Sequence, residues 1–211
     1  MSSTRFPTVP SDPRNRRERQ AQQTRDEILQ AARRLFAERG YARTGMRDIA
    51  DAAGVSAQTV YSSVGSKQTL VARLNDLLDE EAGIGAIVQA SARSGDPVVV
   101  AATSARVTRS VLQHCGDIVL ALVTGAAAEP ELAAALAEGH RRHVEGARWA
   151  ARTLHEMGAL DAAADLDDAA ETIAALSDTT FALTLRDAYG WSLDRIERWI
   201  ADTTCLVLGI G

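Results

Sequence analysis

The chain has 211 residues, 46% of them hydrophobic and 4% aromatic, with a net charge of −5. That supplies enough apolar side chain for a packed core, and long Ala-, Leu- and Arg-rich stretches at helical period favour an all-α protein over a sheet protein. No run of 18 uncharged apolar residues offers a membrane span, no apolar signal core opens the chain, and two cysteines are too few for a disulfide framework, so the expectation is a cytoplasmic protein without cofactor or metal.

Residues 1–22, with the run "RNRRER" and no apolar period, read as a disordered basic arm. In "TRDEILQAARRLFAERGY", Thr24 and Glu27 have capping-box spacing and Gly40 supplies a stop, which predicts a helix over 25–39 with Ile28, Ala31, Leu35 and Phe36 on one face. Three further helices follow. Thr44 caps one that ends near Ala53, with Gly54 as its stop. Ser56 caps the next, which ends near Gly65. Ser66 caps a longer one running to about Gln89 on a stripe of Leu70, Leu74, Leu77 and Leu78. Two short helices across a glycine turn make a helix-turn-helix pattern, with Ile49, Ala50, Val55, Val60 and Val64 as its small core. The expected domains are therefore 23–70 for the helix-turn-helix and 71–211 for a second helical unit.

In that second unit, Asp96 and Pro97 open one helix, and "DIVLALVTGAA" is short and apolar enough to require burial. A long helix spans about 130–157, another restarts at Ser177-Asp178, and Ser192 caps the last.

Charge divides along the same line. Residues 1–75 hold 13 Lys/Arg against 7 Asp/Glu, and residues 76–211 hold 10 against 21, so a basic front is carried on an acidic body. A basic front suits a polyanion. Within "SAQTVYSSV", Val60 and Val64 point inward and leave Ala57, Gln58, Tyr61 and Ser62 outward. Gln58 can pair with adenine through two hydrogen bonds, and Ala57 can sit against a thymine methyl. Tyr61, Thr44 and the first amides of its helix suit phosphate oxygens. Lys67 is the only lysine among 23 basic residues, and it opens a helix whose dipole disfavours a cation. A bound phosphate there would remove the objection, so Lys67 is expected as a phosphate clamp.

This stretch resembles the TetR family of bacterial transcriptional regulators over about residues 24–74. The pattern Ser-x-x-Thr-aliphatic-Tyr-x-x-aromatic-x-Ser-Lys-x-x-Leu falls on Ser56, Thr59, Val60, Tyr61, Val64, Ser66, Lys67 and Leu70, with Val64 where phenylalanine is usual. The resemblance implies an all-helical Ω-shaped homodimer with three N-terminal helices on a palindromic double-stranded DNA operator. It also implies a C-terminal domain for a small-molecule effector, and most often repression. The last two long helices would then pair with their two-fold mates. Ile196, Trp199, Ile200, Thr203, Leu206 and Val207 form a wide apolar stripe that fits such an interface, joined by Ile173 and Phe181 on the preceding elements.

For the effector pocket the candidates are His140 and His143 on the long helix and Arg106 and Ser110 on a neighbouring one. A metal needs three or four ligands, and the two histidines have no evident companions. No nucleophile–base pattern or glycine-rich phosphate loop appears, so the chain is not expected to be an enzyme. The rival readings are gating by a protein partner and an enzyme or carrier domain that has kept the helix-turn-helix.

Overall fold

The structure is a computed structural model that describes residues 13–211, and it is all-α, with no strand among the described residues. Eleven helices are described: α1 (Pro13–Arg39), α2 (Met46–Ala53), α3 (Ala57–Val64), α4 (Lys67–Glu81), α5 (Ile84–Ser94), α6 (Pro97–Ala101), α7 (Thr103–Gly125), α8 (Pro130–Glu156), α9 (Leu166–Leu176), α10 (Thr179–Asp187) and α11 (Leu193–Leu208).

The largest departure from expectation is at the start. Of the expected arm, residues 1–12 lie outside the described residues, but the chain from Pro13 onward is helical and the "RNRRER" run falls inside α1. Thr24 therefore caps nothing. The extension carries exposed Arg, Glu and Gln, which favour helix without burial. Side-chain pairs one turn apart hold it: Gln22 donates to Asp26 at 2.8 Å and Gln23 to Glu27 at 3.0 Å. An apolar period is a signal of burial, and this segment lacks both.

Beyond the extension, α1 lays Ile28, Ala31, Ala32, Leu35 and Phe36 against α2, α3 and α4. Ile28, Ile49, Val60 and Leu70 are fully buried, each worth roughly 1.5–3 kcal/mol relative to exposure. Ala50 is buried at the crossing of α2 and α3, where a larger side chain would force the helices apart. Gly54 ends α2 with φ +68°, and the Val55 amide donates back to the Ala50 carbonyl at 3.0 Å. This closure uses the left-handed backbone that glycine tolerates best.

The leucine stripe expected to run to Gln89 breaks at Gly83, whose φ of +61° separates α4 from α5. The expected domain boundary at 70/71 falls inside α4, which packs against α1 on one side and against α7 and α8 on the other. One apolar core accordingly runs from α1–α4 into α7, α8, α10 and α11. A second core joins α6, α8 and α9, where Ala147, Ala150 and Ala151 face Ala169, Ala170 and Ala174. Such small side chains let the two helix backbones approach closely.

The helix beginning at Asp96-Pro97 and the apolar segment after it are nearly continuous. α6 gives way to α7, which bends at Cys115 (φ −135°, ψ 16°). Next to the bend, Gly116 accommodates the Arg186 guanidinium, and a Cβ there would lie 2.8 Å from Nη1. Past the bend Ile118, Val119 and Leu122 are buried as expected, but Leu120 is exposed.

Candidate DNA-binding surface and ligand cavity

Ser56 caps α3 by accepting the Thr59 amide at 3.0 Å, and the two hydroxyls also share a hydrogen bond at 2.8 Å. Both side chains of the motif thus serve to start the helix. Ser66 repeats the device for α4, accepting from the Thr69 amide at 3.1 Å. Val60 and Val64 point into the core, so α3 can present only its other face: Gln58 and Ser62 are exposed, Tyr61 is 55% exposed, and Ala57 is half-buried against the core. Ser62 also donates to the Thr59 carbonyl at 3.1 Å.

Two expected contact residues are placed differently. Thr44 is not the cap of α2. It is 1% exposed, and its hydroxyl donates to the Gly40 carbonyl at 2.9 Å, closing the turn after α1. The capping position belongs to Gly45, whose amide donates to the Asp48 carboxylate at 2.7 Å. The sequence signal failed because Thr44 and Gly45 are adjacent, and a threonine ahead of a helix reads as a cap until its burial is known.

Lys67 has an internal partner that its position at the first turn of α4 did not suggest. Its ammonium donates to the Tyr41 carbonyl at 2.6 Å and lies 3.8 Å from the centre of the Tyr41 ring. One of three N–H donors is thereby engaged. Burial pulls the Lys67 ammonium below the ordinary lysine value, against the opposing field of Glu129 and Glu131. Burial, with the same two carboxylates, pushes the Tyr41 phenol up.

In the second unit, α4, α5, α7, α8 and the start of α10 line a half-open cavity of about 690 Å³. Its wall is mainly aliphatic, including Leu78, Ile84, Val107, Val111, Leu122 and Leu136, with Trp149 on α8. Of the four expected residues, His140 and His143 line it. His143 Nε2 lies 3.0 Å from the Ala174 carbonyl, which ties α8 to the end of α9.

Arg106 and Ser110 do not reach the cavity. Arg106 is directed to Ser91 at 3.4 Å, and Ser110 donates to the Ala82 carbonyl at 2.7 Å. Both sit on the face of α7 turned to α4 and α5. Val107, Thr108 and Val111, one helical step round, face the cavity instead. Sequence reasoning missed Asn75 and Thr108 on this wall. The available signal was a polar residue at each of two buried stripe positions.

The expected dimer residues divide in two. Ile173, Ile196 and Ile200 are interior, Ile173 against the alanines of α8 and Ile196 and Ile200 in the core shared with α7, so none of these three can meet a partner. Leu206 is 80% exposed, Val207 58% and Phe181 42%, with Thr203 and Trp199 half-buried beside them. The Trp199 ring lies 6.0 Å from both Phe181 and Trp191, so the outer face of α10–α11 carries an aromatic cluster. The stripe read from sequence was too wide because α11 is apolar on two faces, one for its own core.

Among the described residues no helix is long and apolar enough to cross a membrane, and no group of three or more His, Cys, Asp and Glu is placed to hold a metal.

The sequence pattern described as "Bacterial regulatory proteins, tetR family" matches residues 28–74, which is α1 from Ile28 through the first half of α4. The HTH-type transcriptional repressor KstR2 of Mycolicibacterium smegmatis is 42% identical over 74 residues, covering 35% of this chain and 32% of the relative. The chain's matches thus span about a third of the curated relatives' length. Solved structures match much further. A TetR-family transcriptional regulator from Syntrophomonas wolfei superposes with a TM-score of 0.76 at 17% identity, over 89% of this chain and 96% of the other. SmeT in complex with triclosan gives 0.69 at 20% identity, over 88% and 91%. At these identities the structural likeness carries the fold.

Proposed function

We propose that this chain, whose residues 28–74 match the tetR family of bacterial regulatory proteins, is a repressor that binds a palindromic operator as a homodimer and releases it when a small molecule enters the cavity. The observation that carries the reading is the division of α3, with Val60 and Val64 locked in the core while Gln58 and Tyr61 stand free on the opposite face. A helix so held can enter a major groove with a fixed register. Gln58 reads a base, Ala57 offers a methyl contact, and Tyr61, Ser62 and the remaining N–H groups of Lys67 hold phosphates.

A two-fold dimer sets its two recognition helices about 34–36 Å apart for successive major grooves. The exposed Phe181, Leu206 and Val207 with half-buried Trp199 are the surface for that pairing. The cavity supports a small-molecule effector, as does the triclosan complex of SmeT, and KstR2 bears the name of a repressor. An effector acts by favouring the conformer with the wrong helix spacing, and a preference of a few kcal/mol is sufficient.

Selection of bound sequences from a random DNA pool at physiological salt tests the reading. The expected result is an inverted repeat. Recovery of no motif would leave a basic surface that holds DNA without reading it.

A further inference from the structure

One polar atom on the cavity wall is built to meet a ligand. Asn75 sits on the buried stripe of α4 between Leu74 and Leu78 and is 5% exposed. Its Nδ2 donates to the Ala135 carbonyl of α8 at 3.2 Å. That bond fixes which way the amide faces, because the flipped orientation would set two carbonyl oxygens against each other. Oδ1 is thereby directed toward Gly139, where even an added Cβ would stand 3.6 Å away. Both residues line the cavity, and no donor among the described residues bonds this oxygen. This amide oxygen keeps contact with the cavity while the rest of its side chain is buried, so a donor that arrives in the cavity can bond it.

Two of the other polar groups on the wall are already committed, while Ser104 and His140 make no side-chain hydrogen bond among the described residues. Thr108 donates to the Ser177 carbonyl at 2.7 Å, and His143 sits on the Ala174 carbonyl. Arg142 is the only arginine or lysine on the wall, and Glu138, Asp76 and Asp79 all bond its guanidinium. An anionic head group would therefore find no unpaired arginine or lysine and would face the carboxylates of Asp79, Glu145 and Asp178. Asp79 and Glu145 are paired with Arg142 and Arg141, and the Asp178 carboxylate caps α10 through the Phe181 amide.

We propose that the cavity takes an uncharged, mainly apolar molecule carrying one hydroxyl or N–H donor, which it delivers to Asn75 Oδ1. This rests on the reading of the cavity as the effector site and adds the chemistry of the effector.

Three probes on one carbon skeleton, 4-octylphenol, 4-octylanisole and 4-octylbenzoate, test it by calorimetric titration of the full chain. The phenol is expected to bind about tenfold more tightly than the ether, with the benzoate weakest. In Asn75→Leu, checked for fold by circular dichroism, the ratio of phenol to ether falls to about one. Equal binding of phenol and ether by the unmodified protein overturns the proposal without any variant. So does tightest binding by the benzoate, no binding by all three, or a tenfold ratio that survives in Asn75→Leu. Operator binding is measured separately with the same probes. Binding in the expected order without loss of DNA would remove the effector reading and leave the ligand chemistry standing.

Discussion

Arg33 on α1 and Asp117 on α7 meet as a fork: Nε lies 2.6 Å from one carboxylate oxygen and Nη2 2.7 Å from the other, while Nη1 reaches Glu81 at the end of α4. One guanidinium thus joins the first helix of the DNA-binding unit to the last turn of α4 and to α7 just past its bend. Side-chain exposures of 15% for Arg33 and 38% for Asp117 place the pair between surface and interior. Its loss should cost about 1–2 kcal/mol.

The same pair sets a pH dependence. Burial pushes the Asp117 carboxyl up, but the Arg33 bonds and charge outweigh it and hold the carboxyl below its usual range. A carboxyl held lower in the folded than in the unfolded chain adds stability that is fully present above its unfolded value, about 4, and is lost as pH falls through the folded value. Arg33→Ala should therefore lower the melting temperature at pH 7 and flatten the fall in stability below about pH 4. An equal deficit at pH 7 and at pH 2.5 would reduce the guanidinium to a packing group.

Gln58→Ala should relax base preference at one position per half-site and weaken the operator complex by about 1–3 kcal/mol. A selection experiment on the variant reads this directly. An unchanged motif would remove Gln58 as the reader and pass the role to its neighbours on α3.

Lys67→Ala should weaken binding to operator and random DNA alike and lower the salt slope of the binding constant by about one. The contact with Tyr41 makes the comparison informative. A weakened complex with an unchanged slope would show that the ammonium only braces α4 against the turn after α1.

Leu206→Asp places a charge on the most exposed large apolar side chain of α11, so folding should be unaffected. Sedimentation is expected to show monomers, and operator binding should be lost. A dimer that persists would put the two-fold interface elsewhere.

Cys115 is fully buried at the bend of α7, where burial, with the nearby Glu81 carboxylate, pushes its thiol up to about 12. Reactivity follows the thiolate. A thiol reagent at pH 8 should label Cys205 in the folded protein and reach Cys115 only after denaturant is added. Labelling of both at equal rates would mean that the bend opens readily.

What the sequence disclosed follows from which signals are local. The caps at Ser56, Ser66, Asp96 and Ser192 are found where the residues announce them, because a cap is decided within three residues. The inward set of the helix-turn-helix was equally legible, since Ile49, Val60 and Val64 follow the helical period and are all buried. Orientation between helices was not local. Arg106 and Ser110 lie on the correct helix but on the face toward Ala82 and Ser91, and period alone does not say which neighbour a face meets. Ile173, Ile196 and Ile200 look like interface in the sequence because a stripe of apolar residues is the same whether it is covered by the same chain or by another. Asn75 is one polar letter within a leucine stripe. Its importance depends on the Ala135 carbonyl, 60 residues away.

The continuity of α4 across the expected domain boundary has a mechanical consequence. Lys67 and Asn75 are on one uninterrupted helix, about 12 Å apart along its axis. A hydrogen-bonded helix this short resists stretching and bending far more than it resists rotation about its supports. A displacement of Asn75 that moved α4 as one rod would carry Lys67 with it and alter its contact with Tyr41. The side chain that meets the cavity and the side chain that stands beside α3 are thus two points on a single rod.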